Sequence, residues 1–232
     1  AHGLTCICSH LYKMAQQLNF PDDQLLLLHN GFNQTINPRT SKLEARQHFG
    51  INPDLHIAGS LGAFFNKDFQ VLKSAIDYYQ NQQSVAFLHI GQGDALLQDA
   101  NIITTGRISD TELSLALQAC DILLLPMADI PANHGRFPLK FSEYISAGRP
   151  VLATRIGDVP DFIEEHQCGY VSAPNPTEFA RTLCDALSNP EEREKRGQNA
   201  LALSQSETFS WHNRAKQLDT FYQTLLKNSK KR

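Results

Sequence analysis

Short, uninterrupted apolar runs rich in Ile, Val and Leu recur through most of the chain, and stretches with helical spacing separate them. Leu55–Ser60, Val85–Ile90, Ile102–Thr105, Ile122–Pro126, Val151–Thr154 and Gly169–Ser172 read as strands. Helices are expected at about 68–79, at Asp110–Cys120 behind a Ser109 cap, and at Leu139–Ala147, Val159–His166 and Thr177–Ser188. Two more, at about 190–205 and 210–227, close the pattern, and Ala95–Gln98 reads as a short helix. Strands without polar alternation are buried on both faces, which is the mark of a parallel sheet. Right-handed crossovers then give an α/β fold, a doubly wound, Rossmann-like parallel sheet with helices on both faces. Such sheets bind ligands at the carboxyl ends of their strands. The loops that matter are therefore 60–68, 91–95, 106–110, 126–138 and 155–159.

The first forty residues break this rhythm. Thr5–Ser9 reads as a strand and Ser9 as the cap of a helix from His10 to Leu18. Pro21-Asp22-Asp23 is a turn, and Gln24–His29, with four consecutive leucines, is a second strand ended by Asn30-Gly31. Residues 32–39 are polar and irregular, as a linker would be, before a helix capped by Thr40 or Ser41 that runs to Gln47 and stops at Gly50. A strand–helix–strand piece ahead of a linker reads as a chain starting in mid-architecture.

Composition narrows the classes. A hydrophobic content of 41% with 19% charged residues fits a globular protein. The formal charge of -3 argues against a broad nucleic-acid surface, and the one basic run, Lys227–Arg232, reads as a solvated end. Five scattered cysteines do not make a disulfide framework, which points to a reducing compartment. Cys6 and Cys8 would share a strand face, but with no second pair downstream they are a weak metal signal. The longest apolar run is far too short to span a bilayer, and no signal peptide is visible.

Three strand-end loops can carry chemistry. In His134–Tyr144, Gly135 precedes a helix whose first turn tolerates Pro138 and leaves the N–H groups of Leu139 and Lys140 free for an anion. Lys140 adds a full charge, and Glu143 lies one turn along the same face. The plainer reading puts Phe141 and Ile145 in the core and makes Lys140–Glu143 a surface pair. In Gly59–Asp68, with Ser60, Gly62 and Lys67, a strand opens into a helix where a phosphate can be cradled. Lys67 at a helix start opposes the dipole unless an anion faces it, or unless it simply pairs with Asp68. In Ile156–Asp161, Gly157 permits close backbone approach and Asp161 could reach a hydroxyl, but a ligand-free Gly-Asp helix cap serves equally well. The chain has no Walker A or Gly-x-Gly-x-x-Gly sequence, no Asp-x-Asp and no His-Glu-x-x-His. Trp211 reads as a core anchor for the last helix.

Taken in order, these motifs resemble the carboxyl-terminal half of a retaining GT-B glycosyltransferase of family 4, also called group 1. The matching pieces are Asn30-Gly31-Phe32-Asn33, Gly59-Ser60-Leu61 with Lys67, Gly106-Arg107-Ile108, Phe137–Tyr144 with Ala147–Val151, Gly157–Asp161 and Phe209-Ser210-Trp211. The resemblance implies that Lys67 and Lys140, as catalytic cations, meet the diphosphate of a nucleoside-diphosphate sugar, together with Gly59, Ser60, Gly62, Arg136 and the amide of Leu139. Glu143 would hold the ribose hydroxyls, and the backbone at Arg107 and Ile108 the base. Gly135 stands where the family has its first Glu, and Ser60 where an Arg is frequent. No cofactor and no metal are expected, and no nucleic-acid partner.

Residues 1–36 become the remnant of an amino-terminal domain with its linker, 37–205 the nucleotide-sugar-binding domain, and 206–232 a closing helix with a basic tail. The absent amino-terminal acceptor-binding domain is then an expected partner, without which the chain would bind nucleotide and transfer nothing. A cytoplasmic location follows, with room for peripheral membrane contact through that domain. The rival readings are a non-catalytic glycosyltransferase-like interaction module and a GT-B epimerase.

Overall fold

The computed structural model describes residues 2–32, 36, 40–79, 84–92 and 102–229, so the short helix expected at Ala95–Gln98 lies outside the described residues. Strands β1 (Leu4–Cys6) and β2 (Leu25–Leu27) pair in parallel as a two-stranded sheet, joined by helix α1 (Ser9–Gln17). Both strands are shorter than the apolar runs suggest. The first ends at Cys6, so Cys6 and Cys8 share no strand face, and a 3₁₀ turn at Asp22–Gln24 delays the second. Ser9 does not cap α1. The chain enters the helix at Cys8, and Ser9 donates its N–H to the distant carboxylate of Asp158 at 2.7 Å.

Helix α2 (Lys42–His48) begins at Ser41, whose hydroxyl accepts from Glu44 N–H while the Glu44 carboxylate accepts from Ser41 N–H. From there strands and helices alternate: β3 (His56–Leu61), α3 (Asn66–Tyr79), β4 (Val85–Ile90), β5 (Ile102–Thr104), α4 (Asp110–Ala119) and β6 (Ile122–Leu125). A one-turn helix α5 (Pro131–His134), unforeseen in the 126–138 loop, precedes α6 (Leu139–Ser146), β7 (Val151–Thr154), α7 (Val159–His166) and β8 (Gly169–Ser172). Helices α8 (Pro176–Ser188), α9 (Pro190–Ser204) and α10 (Trp211–Ser229) complete the described chain.

Strands β3–β8 form one parallel sheet in the order β5-β4-β3-β6-β7-β8. Successive side chains of a strand point to opposite faces, and the two cores show that division. Leu123, Leu125, Val151 and Ala153 pack with Leu117, Phe141, Ile145 and Ile163 on one face, whereas Ile122, Leu124 and Leu152 pack with Leu72, Ile76, Phe179 and Leu183 on the other. Helices α4, α6 and α7 thus cover one side, and α3 and α8 the other. Chain order reverses between β3 and β6, because β4 and β5 are laid down on one side of β3 and β6 to β8 on the other. That reversal is the topological switch point, where neighbouring loops diverge and a crevice opens.

Two tethers lock the frame. Asp121 at the start of β6 takes Arg46 at 2.7 Å, Lys42 at 2.7 Å and the N–H of Ile57 at 2.7 Å, fastening α2 beneath the sheet. Burial opposes the Asp121 charge, but the Lys42 and Ile57 bonds and the Arg46 charge outweigh it and hold the carboxyl below its ordinary pKa. Phe32 N–H donates to Phe209 O at 2.8 Å, so the segment after β2 runs beside the segment entering α10. Trp211 lies against Gly31 but is half exposed, so it lids the junction rather than anchoring a core.

Candidate functional site

Beside the switch point, a cleft is built from the ends of β3 and β4 and the loop and first turn of α4, and Lys140 of α6 reaches its rim at Ala63 O. Strand β3 runs one residue past the expected Ser60, through Leu61 in register with Ile90, so Gly59 and Ser60, which the sequence pattern also places in the candidate phosphate loop, belong to the sheet. A Cβ on Gly59 would lie 2.3 Å from Cys120 Sγ and 2.9 Å from Leu123 Cδ2, so this glycine serves packing. Ser60 is buried, with its hydroxyl 3.3 Å from His89 Nδ1. The true turn is Gly62. Its φ of +67° suits glycine, and a Cβ there would meet nothing within 4 Å, so the open side of the backbone faces free space.

A cleft of about 480 Å³ opens there, lined by Gly62, Ala63, Gly91, Arg107, Ile108 and Asp110 among others. Arg107 and Ile108 thus reach the cleft wall where the sequence placed them. A second hollow of about 620 Å³, between His2-Gly3 and Tyr222 and Leu226 of α10, has no Asp, Glu, Lys or Arg in its lining.

Helix α6 brings the charges. Pro138 is its N-cap residue (φ −64°, ψ 132°), one position ahead of the first-turn place expected for it, and no side chain caps the helix. The amides of Leu139 and Lys140 therefore remain free at a positive helix end. Lys140 turns its Nζ to Ala63 O at 3.2 Å and lies 4.8 Å from the centroid of the Phe64 ring, so no surface pair with Glu143 takes it away. Burial, and then the positive charge of Arg136, pull its pKa down from 10.5 to about 8. Glu143 is half-buried, and burial raises its carboxyl pKa against the attraction of Lys140. Phe141 and Ile145 on the opposite face are fully buried.

Between Lys140 and the sheet stands Tyr144, which sequence reasoning treated only as part of a motif. Its hydroxyl accepts from Leu61 N–H at 2.9 Å and donates to Leu124 O at 3.3 Å, bridging the two strands that flank the switch point. A buried tyrosine needs a polar partner, and a tyrosine on the apolar face of a site helix is the signal that could have found it.

The other predicted residues separate. Arg136 donates to Asn133 Oδ1 at 2.6 Å and to the buried carboxylate of Asp68 at 3.2 Å, and stacks 4.6 Å over Phe65. Asp68 also accepts from Ala128 N–H and Asn133, so its oxygens serve this network and not Lys67. Lys67 is exposed on the first turn of α3, outside the cleft wall. Gly135 has an ordinary φ of −84°, and a Cβ there would sit 3.5 Å from Leu11 of α1, so neither backbone nor space demands glycine. Asp158 does not cap its own helix. It holds His29 and Ser9 N–H, each at 2.7 Å, and those bonds overcome the cost of burial to keep its carboxyl below the ordinary value. Gly157 beside it has φ +69°, and a Cβ there would lie 3.3 Å from Arg136 O.

A six-stranded, doubly wound parallel sheet with a cationic helix start at its strand ends defines a Rossmann-like α/β domain. Residues 52–189 match the family Glycosyl transferases group 1, and the chain belongs to that family. It is 26% identical over 222 residues to the glycosyltransferase TuaH of Bacillus subtilis (strain 168), named for teichuronic acid biosynthesis, covering 88% of this chain and 53% of that protein. It is 29% identical over 205 residues to sulfoquinovosyl transferase SQD2 of Arabidopsis thaliana, covering 82% of this chain and 38% of that one. Among solved structures, Anabaena HepE in complex with UDP and glucose superposes with a TM-score of 0.78 at 15% identity, over 97% of this chain and 64% of that one. The fold is thus the Rossmann-like half of a GT-B architecture, and the chain spans about half the length of TuaH.

Proposed function

We propose that this chain is the donor-binding domain of a retaining glycosyltransferase, which moves a sugar from a nucleoside-diphosphate sugar to an acceptor hydroxyl. One observation carries the reading. At the carboxyl ends of β3 and β4 a cleft is lined by Gly62, Ala63, Arg107, Ile108 and Asp110, and Lys140 of α6 reaches its rim at Ala63 O, with Glu143 within electrostatic reach of both Lys140 and Asp110. A diphosphate is the group that this electrostatics suits, since a positive helix end and a lysine stabilise charge as it develops on a departing diphosphate. Glu143 is one turn further, at the reach of a ribose diol, and the Arg107–Ile108 backbone is left for the base. The UDP named in the HepE structure supports this ligand class.

Fixed amides and Lys140 supply the positive charge in this reading, so no metal is required. Lys67 plays a lesser part, reaching the outer phosphate from the first turn of α3. The rest of the enzyme, an amino-terminal acceptor domain, must complete the cleft, and the chain alone transfers no sugar. We place the enzyme in the cytoplasm, where its five free thiols stay reduced. No helix among the described residues is long and apolar enough to cross a membrane.

Calorimetry with UDP and GDP in the presence of a chelator tests the proposal. Binding of one of them, weakened by Lys140→Ala and unchanged by added magnesium, is the expected result. A chain that binds no nucleoside diphosphate at millimolar concentration refutes it. Transfer by this chain alone would refute the need for the second domain.

A further inference from the structure

The geometry points to Tyr144 as a positioning residue that sets the donor loop Leu61–Ala63 against helix α6. This inference rests on the donor-site reading above. The β3–β6 ladder has Ala58 opposite Ile122 and Gly59 opposite Leu123, and beyond that register the pairing gives way at the switch point. Leu61 and Leu124 lie past the last of these pairs, and the Tyr144 hydroxyl spans them, accepting from Leu61 N–H and donating to Leu124 O. Its ring is fully buried, so water cannot replace either bond.

The bridge lies at the entrance to the site. Leu61 is followed directly by Gly62, whose N–H donates to Ile90 O at 2.9 Å and whose open side faces the cleft. Tyr144 itself is one residue after Glu143 and four after Lys140, and Lys140 makes the second cross-link of the same two segments through Ala63 O. Loop and helix are therefore fastened twice, at a dry inner point by Tyr144 and at the rim by Lys140. An arriving phosphate competes with Ala63 O for the Lys140 ammonium and loosens the rim fastening. The inner one then has to keep the Gly62–Ala63 segment and the carboxylate of Glu143 in register, because small displacements of positioning groups cost binding and rate steeply.

The test uses the 232-residue chain and UDP, or GDP should only that bind. Tyr144→Phe keeps the ring and removes the hydroxyl. Its folded form is expected to bind at least about fivefold more weakly. Lys140→Ala is expected to cost less in that background than in the wild type, since the two residues act on one loop. A purely structural tyrosine would lower the urea midpoint, leave the dissociation constant of the folded protein unchanged and give additive effects, and that pattern would overturn the proposal. Should Tyr144→Phe fail to fold, fluorotyrosine incorporation supplies the second measurement. The ¹⁹F resonance of Tyr144 must shift on saturation with the nucleotide, and an unmoved resonance also overturns the proposal. A wild-type chain that binds neither nucleotide removes the donor-site reading itself, an outcome distinct from a variant that binds as well as the wild type.

Discussion

Raising the pH from 7 to 9 should weaken nucleotide binding by taking the proton from Lys140. In the free protein this ammonium is held under Phe64 and near Arg136, and it titrates at about 8 instead of 10.5. That gap corresponds to roughly 3 kcal/mol of disfavoured charging, at about 1.36 kcal/mol for each pH unit. A diphosphate beside Nζ supplies the missing counter-charge and pulls the value back up. Below pH 8 the lysine is charged with or without ligand, so affinity is flat. Above it the free site is neutral, a proton must be recruited, and the dissociation constant should rise by up to about tenfold per pH unit. Calorimetry at pH 8 in buffers of different ionisation enthalpy should report uptake of about half a proton. Lys140→Arg stays charged and should flatten the profile. The same linkage makes the ligand-free fold gain stability as pH rises from about 8 towards 10, because there the unfolded chain binds the additional proton. A wild-type chain that binds UDP equally at pH 7 and 9, with no proton uptake, refutes the assignment.

Other expectations follow from single contacts. Gly59→Ala should cost about 1–3 kcal/mol in urea unfolding because its Cβ collides with Cys120 and Leu123; an unchanged midpoint would return Gly59 to the ligand loop. Asp121→Asn strips the buried Arg46 of its counter-charge and should cost about 3 kcal/mol or more, whereas a loss below about 1 kcal/mol would show that the Ala119 and Pro53 carbonyls suffice for Arg46. Gly135→Glu should leave stability within about 0.5 kcal/mol, and a large loss would make this glycine structural. Asp158 has a depressed pKa, so its contribution is present above about pH 4 and disappears as pH falls through the folded value. Asp158→Asn should therefore flatten the acid limb of the stability curve; an unchanged limb would place the acid sensitivity elsewhere.

The fold was largely legible because parallel strands buried on both faces leave unbroken apolar runs, and β7, α7 and β8 begin and end where those runs do. Local chemistry was legible too, as at the Ser41 and Ser109 capping boxes and the charge-bearing start of α6. What local pattern could not show is which distant group completes an element. Ser9 looks like a cap and Asp158 looks like another, yet each serves the other across 149 positions. Gly59 looks like a phosphate-loop glycine because loop and strand glycines read alike until the neighbouring Cys120 is known. Lys67 sits at a helix start as expected, but the helix begins at Asn66 and turns the buried Asp68 toward Arg136, leaving the lysine outside the cleft wall.

The loop from His134 to Phe137 shows why the first thirty residues matter to a site that lies wholly in the larger sheet. His134 O accepts from Cys8 Sγ, Gly135 faces Leu11, Phe137 O accepts from Asn30, and the Phe137 ring stacks on His29 at 4.5 Å. The same His29 holds Asp158, which fixes the start of α7, while Gly157 runs under the carbonyls of Asn133 and Arg136. The residues that lead into α6 are thus gripped by the β1–α1–β2 piece on one side and by α7 on the other. The sheet sets the depth of Lys140 and Glu143 through Tyr144, and the amino-terminal piece sets the direction from which their helix begins. Any displacement of that piece is delivered to the positive end of α6, where the diphosphate is proposed to sit.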